Sequence, residues 1–272
     1  MKLGMSTATY FGTISTENSF GILKSMGISD AEVFLSTYCE YEQNFIDKVV
    51  SQIGNIKIHS VHALGTQFEP ELFSNSDRVQ NDAIKILRKF LSAAKAMKAE
   101  YYTFHGPLKV KKKPYNLNYQ MLAKKINFII DICKEYEIKL AYENVHYSYF
   151  DSPFFFDNIK SLCPDLYAVF DIKHSHQSGY NYKDYLKVIG ERLAIVHLCD
   201  VNLDNSTTLP FQGIVDFESL FLEVKKYNSK AILLLELYGS DYTDLNQVNS
   251  VYESLNIMLN EVDRKLIKFE QK

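Results

Sequence analysis

A chain of 272 residues is longer than most single domains, yet close to the ~250 residues that one closed α/β barrel uses. Its composition, 46% hydrophobic and 23% charged, supports a large buried core, and no apolar run approaches the ~20 residues of a membrane span. The net charge of −3 gives no global attraction to nucleic acid. Four cysteines, Cys39, Cys133, Cys163 and Cys199, lie far apart with no CxxC pair, so the spacing offers neither a zinc ribbon nor a disulfide framework. The N-terminus runs straight into a strand-like segment without a secretory signal pattern, and a cytoplasmic location is the default expectation. No linker-like stretch marks a boundary, so residues 1–272 are expected to form a single domain.

Short apolar runs alternate with longer amphipathic segments. Strands are predicted at Lys2–Ser6, Ala31–Ser36, Lys57–Ala63, Tyr101–His105, Lys139–Asn144, Tyr167–Ile172, Ala194–Leu198 and Ala231–Leu237. Most are apolar on both faces, as strands of a doubly covered parallel sheet are. Between them the period shifts to about 3.6: Ala83, Ile84, Leu87, Phe90, Leu91 and Ala94 mark one helix, Leu122, Ile126, Ile129, Ile130 and Cys133 a second, and Leu220, Phe221, Val224 and Tyr227 a third. Eight β/α pairs close into a (β/α)₈ TIM barrel.

Catalytic groups of such barrels sit at the C-terminal strand ends, where side chains converge on one mouth. His62, His105, Glu143, Asp171, His197 and Glu236 stand at the ends of strands three to eight in that order. Singly, each has a structural explanation: a histidine satisfied in the core, or a carboxylate in an ion pair. Recurrence changes the balance. Glu143 follows Lys-Leu-Ala-Tyr and Glu236 follows Ile-Leu-Leu-Leu, where an unpartnered charge costs several kcal/mol, and a shared cation is the simplest partner. Mixed carboxylate and imidazole donors suit Zn²⁺, Mn²⁺, Co²⁺ or Fe²⁺ better than Ca²⁺, and Mg²⁺ is kept among the candidate ions. Cys199 follows His197 closely, but reads more simply as a small buried hydrophobe.

The segments Ser60-Val61-His62, Phe104-His105-Gly106, Ala141-Tyr142-Glu143-Asn144-Val145, Phe170-Asp171-Ile172-Lys173-His174, Val196-His197-Leu198-Cys199-Asp200 and Leu235-Glu236 together resemble the xylose isomerase-like barrel superfamily. That superfamily includes sugar and sugar-phosphate isomerases and epimerases and the endonuclease IV type of repair enzyme. The resemblance to the isomerases implies a divalent metal on Glu143, Asp171, His197 and Glu236, with His174 touching substrate oxygens. It further implies proton transfer between the two faces of an enediolate by Glu143 and Glu236 as the catalytic pair. Resemblance to the endonucleases implies a second metal on His62 and His105 that shares a bridging glutamate, hence one or two ions per chain. The alternative function is then a di-metal phosphodiester hydrolase acting on DNA.

The endonuclease pattern has an Asp-x-His pair after strand seven, where this chain reads Asp204-Asn205-Ser206-Thr207-Thr208-Leu209-Pro210, and no histidine follows His197. Gln212-Gly213-Ile214-Val215-Asp216-Phe217 instead resembles the entry to helix seven of many isomerase-like members. With no basic surplus either, the isomerase reading is preferred, with a sugar or sugar phosphate as partner rather than nucleic acid or membrane. Some sugar epimerases carry an arginine after the strand-seven histidine, where Asp200 to Asn205 stand here, so the sugar itself stays open. A barrel that binds a metabolite without turnover is the third reading. Lys109-Val110-Lys111-Lys112-Lys113 offers a phosphate clamp or, more simply, a solvated loop. Tyr10, Phe11, Phe68, His146 and Tyr147 are candidate rim residues, and His176 is expected in an exposed loop. A homo-oligomer is left open.

Overall fold

The computed structural model describes residues 1–109 and 116–270, with side chains described through residue 265. Eight parallel strands close on themselves: β1 (Lys2–Ser6), β2 (Asp30–Leu35), β3 (Lys57–Ala63), β4 (Tyr101–Phe104), β5 (Lys139–Glu143), β6 (Tyr167–Asp171), β7 (Leu193–Leu198) and β8 (Ile232–Leu235). Each pairs with its neighbours in chain order, and β8 returns to β1 through Lys2 opposite Ile232 and Met5 opposite Leu235. The expected (β/α)₈ TIM barrel is thus the observed architecture. Among the described residues, no helix is long and apolar enough to cross a membrane.

Helices cover the outside: α1 (Thr16–Ser25), α2 (Gln43–Ile53), α3 (Asp77–Ala96), α4 (Tyr119–Glu135), α5 (Pro153–Ile159), α7 (Tyr182–Ile189), α8 (Phe217–Tyr227) and α9 (Leu245–Glu270), with the one-turn α6 (Ile172–Gln177) inserted after β6. The apolar positions read from the sequence face inward on α3, α4 and α8: Leu87, Phe90, Leu91, Ile126, Ile130, Leu220 and Val224 are all buried. Caps fix the starts. The Asn118 side chain accepts from Met121 N–H at α4, and Asp216 accepts from Ser219 N–H at α8.

Strand alternation sorts the interior. Ala141 and Glu143 share one face of β5, Val169 and Asp171 of β6, Ile195 and His197 of β7, Leu234 and Glu236 of β8 and its extension. Ala141, Val169, Ala194, Ile195, Ile232 and Leu234 form a small buried cluster of their own, distinct from the main core beneath the helices. This is the plug of the barrel, and the next inward position on each of these strands is a carboxylate or histidine.

Several strands end one or two residues earlier than expected, because side chains take over from the ladder. Glu69 accepts the backbone N–H of His105 at 2.8 Å and of Gly106 at 3.0 Å, so His105 lies just beyond β4. The Asn144 amide clamps β6 by accepting from Asp171 N–H at 2.7 Å and donating to Asp171 O at 2.9 Å. Glu236 also lies past its strand, although its N–H still reaches Leu198 O at 2.9 Å.

Candidate active site

All six strand-end residues meet at one mouth. His62 Nε2 lies 2.9 Å from His105 Nε2, and Glu143 Oε2 is 2.9 Å from His105 Nε2 and 3.9 Å from His62 Nε2. On the other side, His197 Nδ1 lies 2.7 Å from Glu236 Oε2, 3.2 Å from Glu143 Oε1 and 3.9 Å from Asp171 Oδ2. Glu143 therefore joins a histidine pair to an Asp/His/Glu group. Ligand atoms of His62, His105 and Glu143 lie within 4.8 Å of one another, and so do those of Asp171, His197 and Glu236.

The chemistry of these donors fits a divalent cation. Glu143 Oε2 and Glu236 Oε2 are buried and, among the described residues, accept no aligned hydrogen bond, although imidazole nitrogens stand only 2.9 and 2.7 Å away. Buried carboxylate oxygens left without an aligned donor beside imidazole nitrogens form a donor set that a shared positive ion would satisfy.

Electrostatics follow from this crowding. Burial would raise the Glu143 pKa, but His197 and His105 outweigh it and hold the carboxyl well below its ordinary value. Asp171 is pushed up to about 6, chiefly by burial, with Glu143 and Glu236 adding and Lys173 and His197 opposing. For His62, burial disfavours the charged ring, yet Glu32, Glu143 and Glu236 together raise it to about 9. His174 is held well below the usual imidazole range by burial and by the Lys173 ammonium, so it is neutral.

His174 and His176 sit on a helix rather than a loop, because Asp171 caps it. Its Oδ1 accepts from His174 N–H at 2.8 Å, which starts α6 directly off the strand. The turn brings His174 to the mouth, where its ligand atoms lie within 4.8 Å of those of Glu143 and Asp171. Its Nδ1 lies 2.9 Å from His146 Nδ1, which fixes the ring. His176 is half-buried and lines a separate cavity with Tyr182 and Ile214.

A cavity of about 230 Å³ opens over the cluster, lined by His62, His105, Glu143, His174 and Glu236 with Phe11, Phe34, Tyr147, Lys173 and Tyr238 at its sides. Phe11 and Tyr147 are thus at the rim as expected. Tyr10 and Phe68 are not. Tyr10 is buried with its hydroxyl 3.2 Å from Met5 Sδ, and Phe68 is buried beside Tyr41 and Phe90. Cys199 belongs to the apolar core. Lys109 pairs with Asp151, so its charge is already engaged, and Lys111, Lys112 and Lys113 lie outside the described residues.

Four contributors receive no role from the sequence: Glu32 and Glu69, and Asn144 and Lys173 within the segments that carry the resemblance. Glu32 is fully buried in β2, flanked by Ala31 and Val33, and the argument that singled out Glu143 and Glu236 applies equally to it. Lys173 is buried with its ammonium 3.6 Å from Asp171 Oδ2 and 4.4 Å from the Tyr238 ring centre. Two glycines shape the same rim. At Gly106, φ is +70° and a Cβ would lie 2.1 Å from Tyr142 Oη, so both conformation and space demand glycine. A Cβ on Gly65 would meet the His105 Nδ1 at 1.9 Å and its Cβ at 2.8 Å, so rotation of the ring tip cannot relieve the clash. Gly65→Ala should therefore displace the His105 side chain and give the same number of metal equivalents per chain as His105→Ala; a count that differs between the two variants would show that His105 is not held by this contact.

After β7, Asp200–Val201 pairs antiparallel with Thr207–Thr208, and buried Asp200 accepts N–H groups from Val201, Gly213 and Val215. A Cβ at Gly213 would fall 2.4 Å from Asp200 Oδ1, which explains the glycine before α8 as a matter of packing.

Comparison with known proteins agrees with the barrel fold. A search of curated proteins returns no match. Among solved structures, a D-tagatose 3-epimerase-like protein superposes with a TM-score of 0.80 at 18% identity, covering 98% of this chain and 100% of the other. A D-psicose 3-epimerase determined in the presence of D-fructose gives 0.77 at 14% identity, covering 96% and 99%. The IOLI protein with a bound zinc atom gives 0.78 at 16%, covering 96% and 99%. At these identities the likenesses establish the fold. The family model for the xylose isomerase-like TIM barrel matches residues 20–261, and the chain belongs to that family.

Proposed function

We propose that the protein is a metal-dependent isomerase or epimerase of a sugar or sugar phosphate. The observation that carries this reading is the pair Glu143 and Glu236, which approach His197 Nδ1 at 3.2 and 2.7 Å and both line the mouth cavity. The D-tagatose 3-epimerase-like protein and the D-psicose 3-epimerase among the similar structures support the same class. Glu143, Asp171, His197 and Glu236 would hold the ion. A bound divalent cation would supply Lewis-acid stabilisation of the negative charge that develops when a carbon beside a carbonyl loses its proton. Glu143 and Glu236 take and return that proton, neutral His174 hydrogen-bonds a substrate oxygen, and Phe11, Phe34 and Tyr147 cover the carbon chain. The cavity falls below the ~300–1,000 Å³ of drug-sized pockets, which favours a small polyol over a polymer.

The test is proton exchange. Protein loaded with Mn²⁺, Co²⁺ or Zn²⁺ is incubated in D₂O with a panel of ketoses and their phosphates, and NMR follows deuterium at the carbon beside the carbonyl. Metal-dependent incorporation is the expected result. Absence of exchange across the panel, with cleavage of abasic-site DNA instead, would overturn it in favour of the hydrolase, a reading supported by the His62, His105 and Glu143 group.

Metal affinity should rise with pH. His62, raised to about 9, holds a proton in the metal-free site that an incoming cation must displace, and His197 is raised in the same direction: burial opposes its charge, but Glu236, Glu32 and Glu143 outweigh it. Chelator competition between about pH 6.5 and about pH 8.5 should show progressive tightening. A flat profile would mean that neither imidazole gives up a proton when the cation binds.

A further inference from the structure

Beneath the mouth, Glu32 is a fully buried carboxylate with no part in the proton transfer described above. Its Oε2 accepts from the Ser60 hydroxyl at 2.7 Å and the Thr103 hydroxyl at 2.6 Å, and its Oε1 accepts from the Ser6 hydroxyl at 3.0 Å. Three donors from three strands hold the group immobile. From that fixed position Oε1 lies 3.1 Å from His197 Nε2 and 3.5 Å from His62 Nδ1. Neither nitrogen has an aligned hydrogen-bond partner among the described residues. The opposite nitrogens, His197 Nδ1 and His62 Nε2, are those that face Glu236, Glu143 and His105.

We propose that Glu32 is a positioning residue for the metal centre, a single carboxylate that sets the tautomer and orientation of both His62 and His197. The inference rests on the reading of the cluster as a cation site. A carboxylate beside His197 Nε2 and His62 Nδ1 keeps the proton on those nitrogens, leaving the lone pairs of Nδ1 and Nε2 aimed at the cation and making them better donors. A small rotation of either ring onto Oε1 completes the contact. Because one oxygen serves both rings, the two halves of the cluster share their orienting group. A direct ligand role is the competing arrangement, since ligand atoms of Glu32, His62 and Glu236 lie within 4.8 Å of one another. The three hydroxyl bonds argue against it, because they already occupy most of the lone-pair directions of the carboxylate.

The experiment titrates Zn²⁺ against a competing chelator in metal-stripped full-length protein, for wild type, Glu32→Ala, Glu32→Gln and Ser60→Ala/Thr103→Ala. Glu32→Ala should weaken zinc about 10–100-fold with the number of equivalents unchanged. Glu32→Gln, which keeps an acceptor of the same shape, should recover part of that loss, and the double hydroxyl variant should lose less than Glu32→Ala. If Glu32→Ala does not fold, the other two variants carry the test. Wild-type affinity in every folded variant would overturn the proposal, as would the loss of one equivalent in Glu32→Gln, which would make Glu32 a ligand. Failure of the wild type to bind zinc would remove the metal centre itself, an outcome separate from either.

Discussion

Replacing Glu143 or Glu236 by glutamine should lower turnover by about 10²–10⁴-fold, the usual contribution of a positioned acid or base. Gln keeps a carbonyl oxygen of the same reach, so the variants test the proton-carrying role with little change in shape. They also predict a split that loss of activity alone would not reveal. If each carboxylate serves one face of the substrate carbon, a single variant still removes the proton facing the surviving carboxylate and returns deuterium to that same face. Wash-in of solvent deuterium from one epimer, without conversion to the other, is therefore expected from Glu143→Gln and, from the opposite epimer, from Glu236→Gln. Metal content must be measured alongside, because both oxygens also face the cation cluster. A variant that retains full activity and full metal would sink the two-carboxylate mechanism.

Removal of the histidine pair should have the second large effect. His62→Ala/His105→Ala deletes both histidines that stand beside Glu143 Oε2 while leaving Asp171, His197 and Glu236 in place. Elemental analysis of purified wild type should then read either about one equivalent, unchanged in the variant, or about two, falling to one. The first result makes the pair an electrostatic wall of a mononuclear isomerase. The second establishes a dinuclear centre, and two ions ~3.5–4 Å apart are suited to stabilising both the attacking and the leaving oxygen of a phosphodiester. Loss of all metal in the variant would contradict both, since it would place the remaining Asp/His/Glu group below the threshold for holding an ion alone.

How much of this was written in the sequence differs from element to element. The barrel was legible because alternation of doubly apolar strands with 3.6-period helices has few other closed solutions, and the strand centres fell where expected. His62, His105, Glu143, Asp171, His197 and Glu236 were legible because a charged or imidazole group at the end of an apolar run has to be explained by a partner. Tertiary structure decided what lay outside that logic. Glu32 enters the site from the lower part of β2, and its partners Ser6, Ser60 and Thr103 come from three other strands, a register that closure of the barrel sets. Glu69 reaches back from a loop to the His105 backbone, and Tyr10 and Phe68 turn into the core although their sequence positions suit the rim. Local sequence determines which groups need a partner; only the packed barrel determines which partner comes within 3 Å, because such contacts join residues far apart in the chain, as Glu32 and Thr103 are at 71 positions.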